Sequence, residues 1–89
     1  MWYHLNGFDF RKSIKKNKKY DVFKDGKYIT SFGAIHPNGT PFMQYFDKIQ
    51  VYKDYNNYDE KKRENYKKRH EKDRHNKYSA GWFSDIFLW

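Results

Sequence analysis

The residues with the most chemical capacity in this sequence are cations, and their spacing groups them. Arg63, Lys67, His70, Arg74 and Lys77 follow one another at intervals of four, three, four and three. On a helix those intervals place all five along one stripe. Lys62 and Arg69 lie beside it, and the acids of the segment fall mostly outside it. A second cluster holds Lys12, Lys15, Lys16, Lys18 and Lys19, with Arg11 just ahead. Clustered cations neutralise phosphates and release counterions from a nucleic acid. Lys acts as a point charge, whereas Arg reads a bidentate edge. The expected contact is therefore independent of base sequence, with a nucleic acid or an acidic protein surface as partner. A charge run is also often no more than a solvated face, so both readings stand at this point.

No arrangement points to catalysis. His70 and His75 are five apart, which does not place two ligands on one helical face, and His4 and His36 sit in separate segments. There is no glycine-rich phosphate loop, and Ser31, Ser79 and Ser84 lack the setting of a nucleophile elbow. With no cysteine there is no thiolate ligand, thiol nucleophile or disulfide framework. No catalytic residue, metal site, cofactor or small-molecule substrate is expected, and the chain does not read as an enzyme.

Composition frames these groups. The 89 residues carry a formal charge of +8, yet 22% are aromatic. Mean hydropathy of −1.29 alone would fit disorder, but disordered chains are poor in rings. A single folded domain with a small, ring-rich core follows. No apolar run is long enough to span a membrane. Nor do the first twenty residues contain the apolar stretch of a secretory signal, so an intracellular life is expected. Charge is also unevenly placed. Residues 1–19 hold six basic groups against Asp9, residues 20–58 balance four against four, residues 59–78 hold nine against five, and residues 79–89 carry only Asp85.

The elements that must position these groups can be read in order. Asp25-Gly26 between Tyr20–Lys24 and Lys27–Phe32 is a strong hairpin signal, because a type I′ turn needs two positive φ angles. The turn predicts Lys24 opposite Lys27, Phe23 opposite Tyr28 and Val22 opposite Ile29. Val22 and Ile29 would then share a face with Tyr20, while Phe23, Tyr28 and Phe32 share the other. A third strand is expected from Trp2–Leu5 or Phe8–Phe10. Thr40-Pro41 resembles a helix start. Phe42, Tyr45, Phe46, Ile49 and Tyr52 recur at helical spacing, which predicts an amphipathic helix packed on the hairpin. A second helix is expected from Tyr58 to about His75, capped by Asn57 with Glu60 in the capping box. Tyr66 is its only interior apolar residue, so it reads as solvated or partner-facing. The predicted class is α+β: a hairpin or three-stranded antiparallel sheet on one helix, then a basic helix over 59–78 and an aromatic tail over 79–89.

That tail, Trp82 to Trp89, is rich in large apolar side chains. Either it folds back to complete the core, or Trp82, Phe83, Phe87 and Trp89 dock on a neighbouring chain, with Trp2 and Tyr3 doing the same from the other end.

Several segments together resemble a family of small basic proteins of unknown function encoded by large nucleocytoplasmic DNA viruses of algae and protists. They are Lys19-Tyr20-Asp21-Val22-Phe23, Gln44-Tyr45-Phe46-Asp47-Lys48-Ile49, Asp59 through His70, and the Trp82-Phe83-Ser84…Phe87-Leu88-Trp89 ending. The resemblance spans roughly residues 19–89. It implies a viral setting, in the virion or the cytoplasm or nucleus of an infected cell, and transfers no catalytic residue. The expected function is a structural component of a viral particle or similar assembly, docked on other protein chains by its aromatic ends, its basic helix facing acidic protein or nucleic acid. The alternative is a protein that coats DNA or RNA non-specifically.

Overall fold

Two turns dictate most of the sheet. Asn6-Gly7 and Asp25-Gly26 both adopt paired positive φ angles, 54° and 83° in the first and 51° and 80° in the second. The right-handed twist of paired strands favours that turn geometry. The computed structural model describes residues 1–89 and is α+β. A four-stranded antiparallel meander is formed by β1 (Tyr3–Leu5), β2 (Phe8–Lys12), β3 (Lys18–Lys24) and β4 (Lys27–Ala34), in that spatial order. Both candidate N-terminal strands are therefore present, one more than the three-stranded sheet expected.

The β3–β4 hairpin begins in the expected register, Lys24 with Lys27 and Phe23 with Tyr28. A bulge then intervenes, and Val22 pairs with Thr30 where Ile29 was expected. One extra residue reverses which side chains face which way. Phe32 consequently joins Tyr20, with which it pairs, on the core face and leaves the face of Phe23 and Tyr28.

The core lies on that one face. Phe10, Tyr20, Val22 and Phe32 are buried against Phe83, Phe87 and Leu88. Rings meet mostly edge to face, the geometry their quadrupoles prefer: Phe8 to Phe83 at 5.1 Å and Phe10 to Phe87 at 4.9 Å. The tail that supplies these rings is a helix, α2 (Ala80–Phe87), capped by Ser79 Oγ, which accepts from Trp82 N at 3.1 Å. Of the two readings of the tail, folding back describes Phe83 and Phe87. Both are buried and inaccessible to another chain.

No helix forms over Phe42–Tyr52. Pro41 is bridged to Ile35, Gln44 to Asn56, and Gln50 has φ of 75°. Side chains and distant backbone carbonyls share the bonding that a helical ladder would have made in this loop. Asp47 accepts from Ile49 N at 2.9 Å and Tyr52 N at 2.8 Å, while Asn56 Oδ1 accepts from Asp47 N at 2.7 Å. Asx bonding of this kind competes directly with a helical ladder. Ile49 and Tyr52 still reach the core, but along an irregular path.

The basic helix is shorter than expected. α1 runs Glu60–Arg69, and its cap is Asp59, which accepts from Lys61 N and Lys62 N, rather than Asn57. Tyr58, at φ 51°, turns the chain into it. Glu60 leaves the capping box and accepts from Tyr45 Oη instead. With Tyr66 its only buried residue, nothing extends the packed face, and the chain turns after His70 into a 3-10 turn over Asp73–His75. Gly81 lies directly on that turn, since a Cβ added there would meet Asp73 Cβ at 2.7 Å. No helix is long and apolar enough to cross a membrane.

Candidate functional site

Only part of the helical stripe forms, and that part leans on the protein. Lys67 Nζ donates to Asp85 Oδ1 at 2.7 Å, and Arg74 reaches Glu71 at 3.0 Å and Asp85 at 3.9 Å. Arg63 Nε donates to the Trp89 main-chain oxygen at 2.7 Å and lies 4.9 Å from the Tyr45 ring centroid. His70 pairs with Asp73 at 3.3 Å and stacks on Tyr66 at 4.3 Å. Only Arg63, Lys67 and His70 belong to α1 or its cap. Arg74 sits in the 3-10 turn, and Lys77 lies beyond it, exposed over the Tyr78 ring. The seam between α1 and α2 absorbs the charge that the spacing would present to a partner.

The second cluster divides. Lys12, Lys15, Lys16 and Lys18 are exposed, and none has a carboxylate partner within 4 Å. Lys19 is 1% exposed. Its Nζ donates to Phe42 O at 2.6 Å and to Gln44 Oε1. Burial pulls its pKa down to about 8, against the nearby Asp47 charge. Gly33, with φ of 79°, makes room for the lysine stem, because a Cβ there would sit 2.8 Å from Lys19 Cβ. Lys19 therefore fastens the 42–56 loop to the sheet and is withdrawn from any phosphate.

Beneath the loop joining β2 and β3, Asp21 is equally buried. Ser13 Oγ donates to it at 2.5 Å, Ser31 Oγ at 2.6 Å, Arg11 Nε at 3.0 Å and Ile14 N at 3.3 Å. Burial pushes its carboxyl up, but these donors together outweigh that and hold it below the usual range. Asp21 is saturated and makes no ion pair with Lys15 or Lys16.

On the sheet face opposite the core, this polar patch adjoins a row of rings. Trp2 meets Phe23 edge on at 5.1 Å, and Phe23 meets Tyr28 at 5.5 Å. Trp2 is 47% and Tyr28 44% exposed. Arg11 Cζ lies 4.9 Å from the Phe23 centroid and 5.5 Å from that of Trp2, and Lys15 Nζ lies 4.9 Å from Tyr28. Open rings thus share one face with Arg11, which is paired with Asp21, and with Lys15, which has no carboxylate within 4 Å.

The remaining docking candidates sit at the core margin. Tyr3 and Trp82 are half-buried beside it, and Trp89 stacks on Tyr66 at 4.4 Å and 7°. Trp2 alone of the six stands well exposed. Sequence reasoning missed Arg11, Phe23 and Tyr28 as a functional group. The pairing of Phe23 with Tyr28 was legible in the Asp25-Gly26 turn, but Trp2 joins them only through the Asn6-Gly7 hairpin. The histidines stay apart, and no three His, Asp or Glu side chains gather where a metal would bind.

Comparison of the chain with protein-family models, curated proteins and solved structures gives no match.

Proposed function

We propose that this protein binds single-stranded nucleic acid without sequence preference, on the open face of its sheet. The observation that carries the reading is the coincidence of Trp2, Phe23 and Tyr28 with Arg11 and Lys15 on one uncovered surface. Every base has a π-face, so rings hold unpaired bases regardless of sequence, at roughly 1–3 kcal/mol per stacked base. Lys15, whose Nζ lies 4.9 Å from the Tyr28 centroid, stands where a backbone crossing the rings would run, whereas Lys12 points to the other face, over Tyr52. A duplex offers no free base faces, so the rings favour a single strand. The alternative in which aromatic ends dock on other chains keeps fewer residues, since Phe83 and Phe87 are core.

Fluorescence anisotropy with a labelled oligonucleotide of about 12 nucleotides, matched to known single-strand site sizes, tests this. The expected result is binding that weakens with salt, and a drop of about tenfold or more in the double variant Trp2→Ala, Tyr28→Ala, whose circular dichroism is unchanged. Absence of binding at low salt, or tighter binding of the matching duplex, overturns the proposal.

A further inference from the structure

Away from the open face, β3, β4, α1, α2 and the Phe42–Met43 segment border a half-open groove of about 540 Å³. That volume lies within the range of small-ligand sites. One wall is a group of rings: Trp89 stacks on Tyr66 at 7°, and His70 lies against Tyr66 tilted by 30°. All three line the groove. Phe42, 44% exposed and with one face stacked on His36 at 3.5 Å, and Met43, 51% exposed, also line it. Two of the groove's cations, Lys18 and Arg69, make no ion pair. Its one acid, Asp73, is already engaged by His70.

We infer that this groove binds a nucleoside monophosphate, the base held between the Trp89–Tyr66–His70 wall and Phe42–Met43, the phosphate met by Lys18 and Arg69. A planar ring laid against this group meets side chains already fixed by the fold, so little ordering cost is added on binding. Phe42 and Met43 supply a further apolar surface for the base. An anion placed between two unpaired cations gains charge-assisted bonds that neither now makes inside the protein. The ligand must therefore carry both an aromatic plane and a negative charge. An aliphatic acid leaves the rings unused, and an uncharged nucleoside leaves the cations unused. The groove shares no residue with Trp2, Phe23, Tyr28, Arg11 and Lys15, so it stands apart from strand binding on the sheet.

The experiment is titration of the full chain with 5′-AMP, adenosine and inorganic phosphate separately, followed by amide NMR shifts. AMP is expected to move Tyr66, Arg69, His70, Gly81 and Trp89. Adenosine and phosphate should each bind about tenfold more weakly or worse, one charge-assisted or stacking contribution being worth that factor. Lys18→Glu and Arg69→Glu, both at exposed positions, should each weaken AMP about tenfold with the dispersed spectrum intact. If millimolar AMP leaves these resonances in place, moves Trp2 and Tyr28 instead, or binds no more tightly than phosphate, the inference is overturned. Loss of oligonucleotide binding in the Trp2 and Tyr28 variant would leave the AMP result standing, so the two proposals fail separately.

Discussion

Around the loop between β2 and β3, Lys12, Lys15, Lys16 and Lys18 meet no carboxylate within 4 Å. Along the seam of α1 with α2, Arg63, Lys67 and Arg74 each have an oxygen partner within that distance. The two stretches look alike in the sequence. The difference comes in part from local acids such as Glu71, beside Arg74, and in part from acids remote in the chain. Asp85 arrives eighteen residues after Lys67 to neutralise the helix, whereas Asp21, the acid nearest the loop, is filled by Ser13, Ser31, Arg11 and the Ile14 amide. Free charge is set by which acids the fold brings near, and local density does not report it.

Lys19 gives the sharpest test, because it belongs to the loop cluster by sequence and to the interior by structure. Lys19→Ala removes a buried stem and strands the acceptors on Phe42 and Gln44, and should cost about 2–4 kcal/mol in urea unfolding. Alanine at Lys15, Lys16 or Lys18 should stay within about 0.5 kcal/mol. Equal effects at all four positions would erase the division.

The next effect is on binding. Reversing Lys15 and Lys16 together to Glu should lower oligonucleotide affinity about a hundredfold at low salt, and reduce the salt slope by roughly 0.7 for each phosphate no longer neutralised. Changing Arg63, Lys67 and Arg74 to Gln should leave affinity within about threefold in protein that remains folded, since the seam cations face inward. A larger loss from the second set would return the helix to the status its spacing first proposed.

Smaller again is the seam itself. Asp85→Ala leaves Lys67 and Arg74 half-buried without their shared partner, at an expected cost of about 1–2 kcal/mol by chemical denaturation. A double-mutant cycle with Lys67→Met should show positive coupling. Independent effects would mean that the pair adds nothing beyond the two side chains taken singly.

These contrasts also mark where sequence reasoning stops. Asp25-Gly26 predicted its hairpin because the requirement for positive φ is local, and the first two pairs followed. The bulge at Ile29 was not legible, since its cause lies in which rings the core must gather, and it moved Phe32 to the other face. Phe42 to Tyr52 carries a helical period that Asp47, Gln44 and Asn56 override by bonding to the backbone, a competition that periodicity cannot weigh. In the tail, Ser79 as a cap with Phe83 and Phe87 four apart was a readable helix, masked by an apolar density that fits docking equally well. The candidate site followed the same rule. The cations were visible, but their partners were not, and the row of rings needed all four strands in register before it existed at all.

The pH dependence of stability separates buried from exposed lysine at the smallest scale. The folded chain releases the Lys19 proton near pH 8, whereas an unfolded chain holds it to about 10.5. Between those values the unfolded state binds more protons, so stability rises with pH, by roughly 1 kcal/mol from pH 7 to pH 9. Above about pH 10 the sign reverses. Burial raises Tyr20, Tyr52 and Tyr66, so the folded chain then keeps protons that the unfolded chain gives up, and stability falls. Urea midpoints measured across this range should therefore pass through a maximum on the alkaline side of neutrality. Lys19→Met keeps most of the stem, removes the titrating amine and should flatten the rise between pH 7 and pH 9 while preserving the fall above pH 10. A rise that survives in Lys19→Met would assign the effect to another group and place Lys19 back among the solvated lysines of its loop.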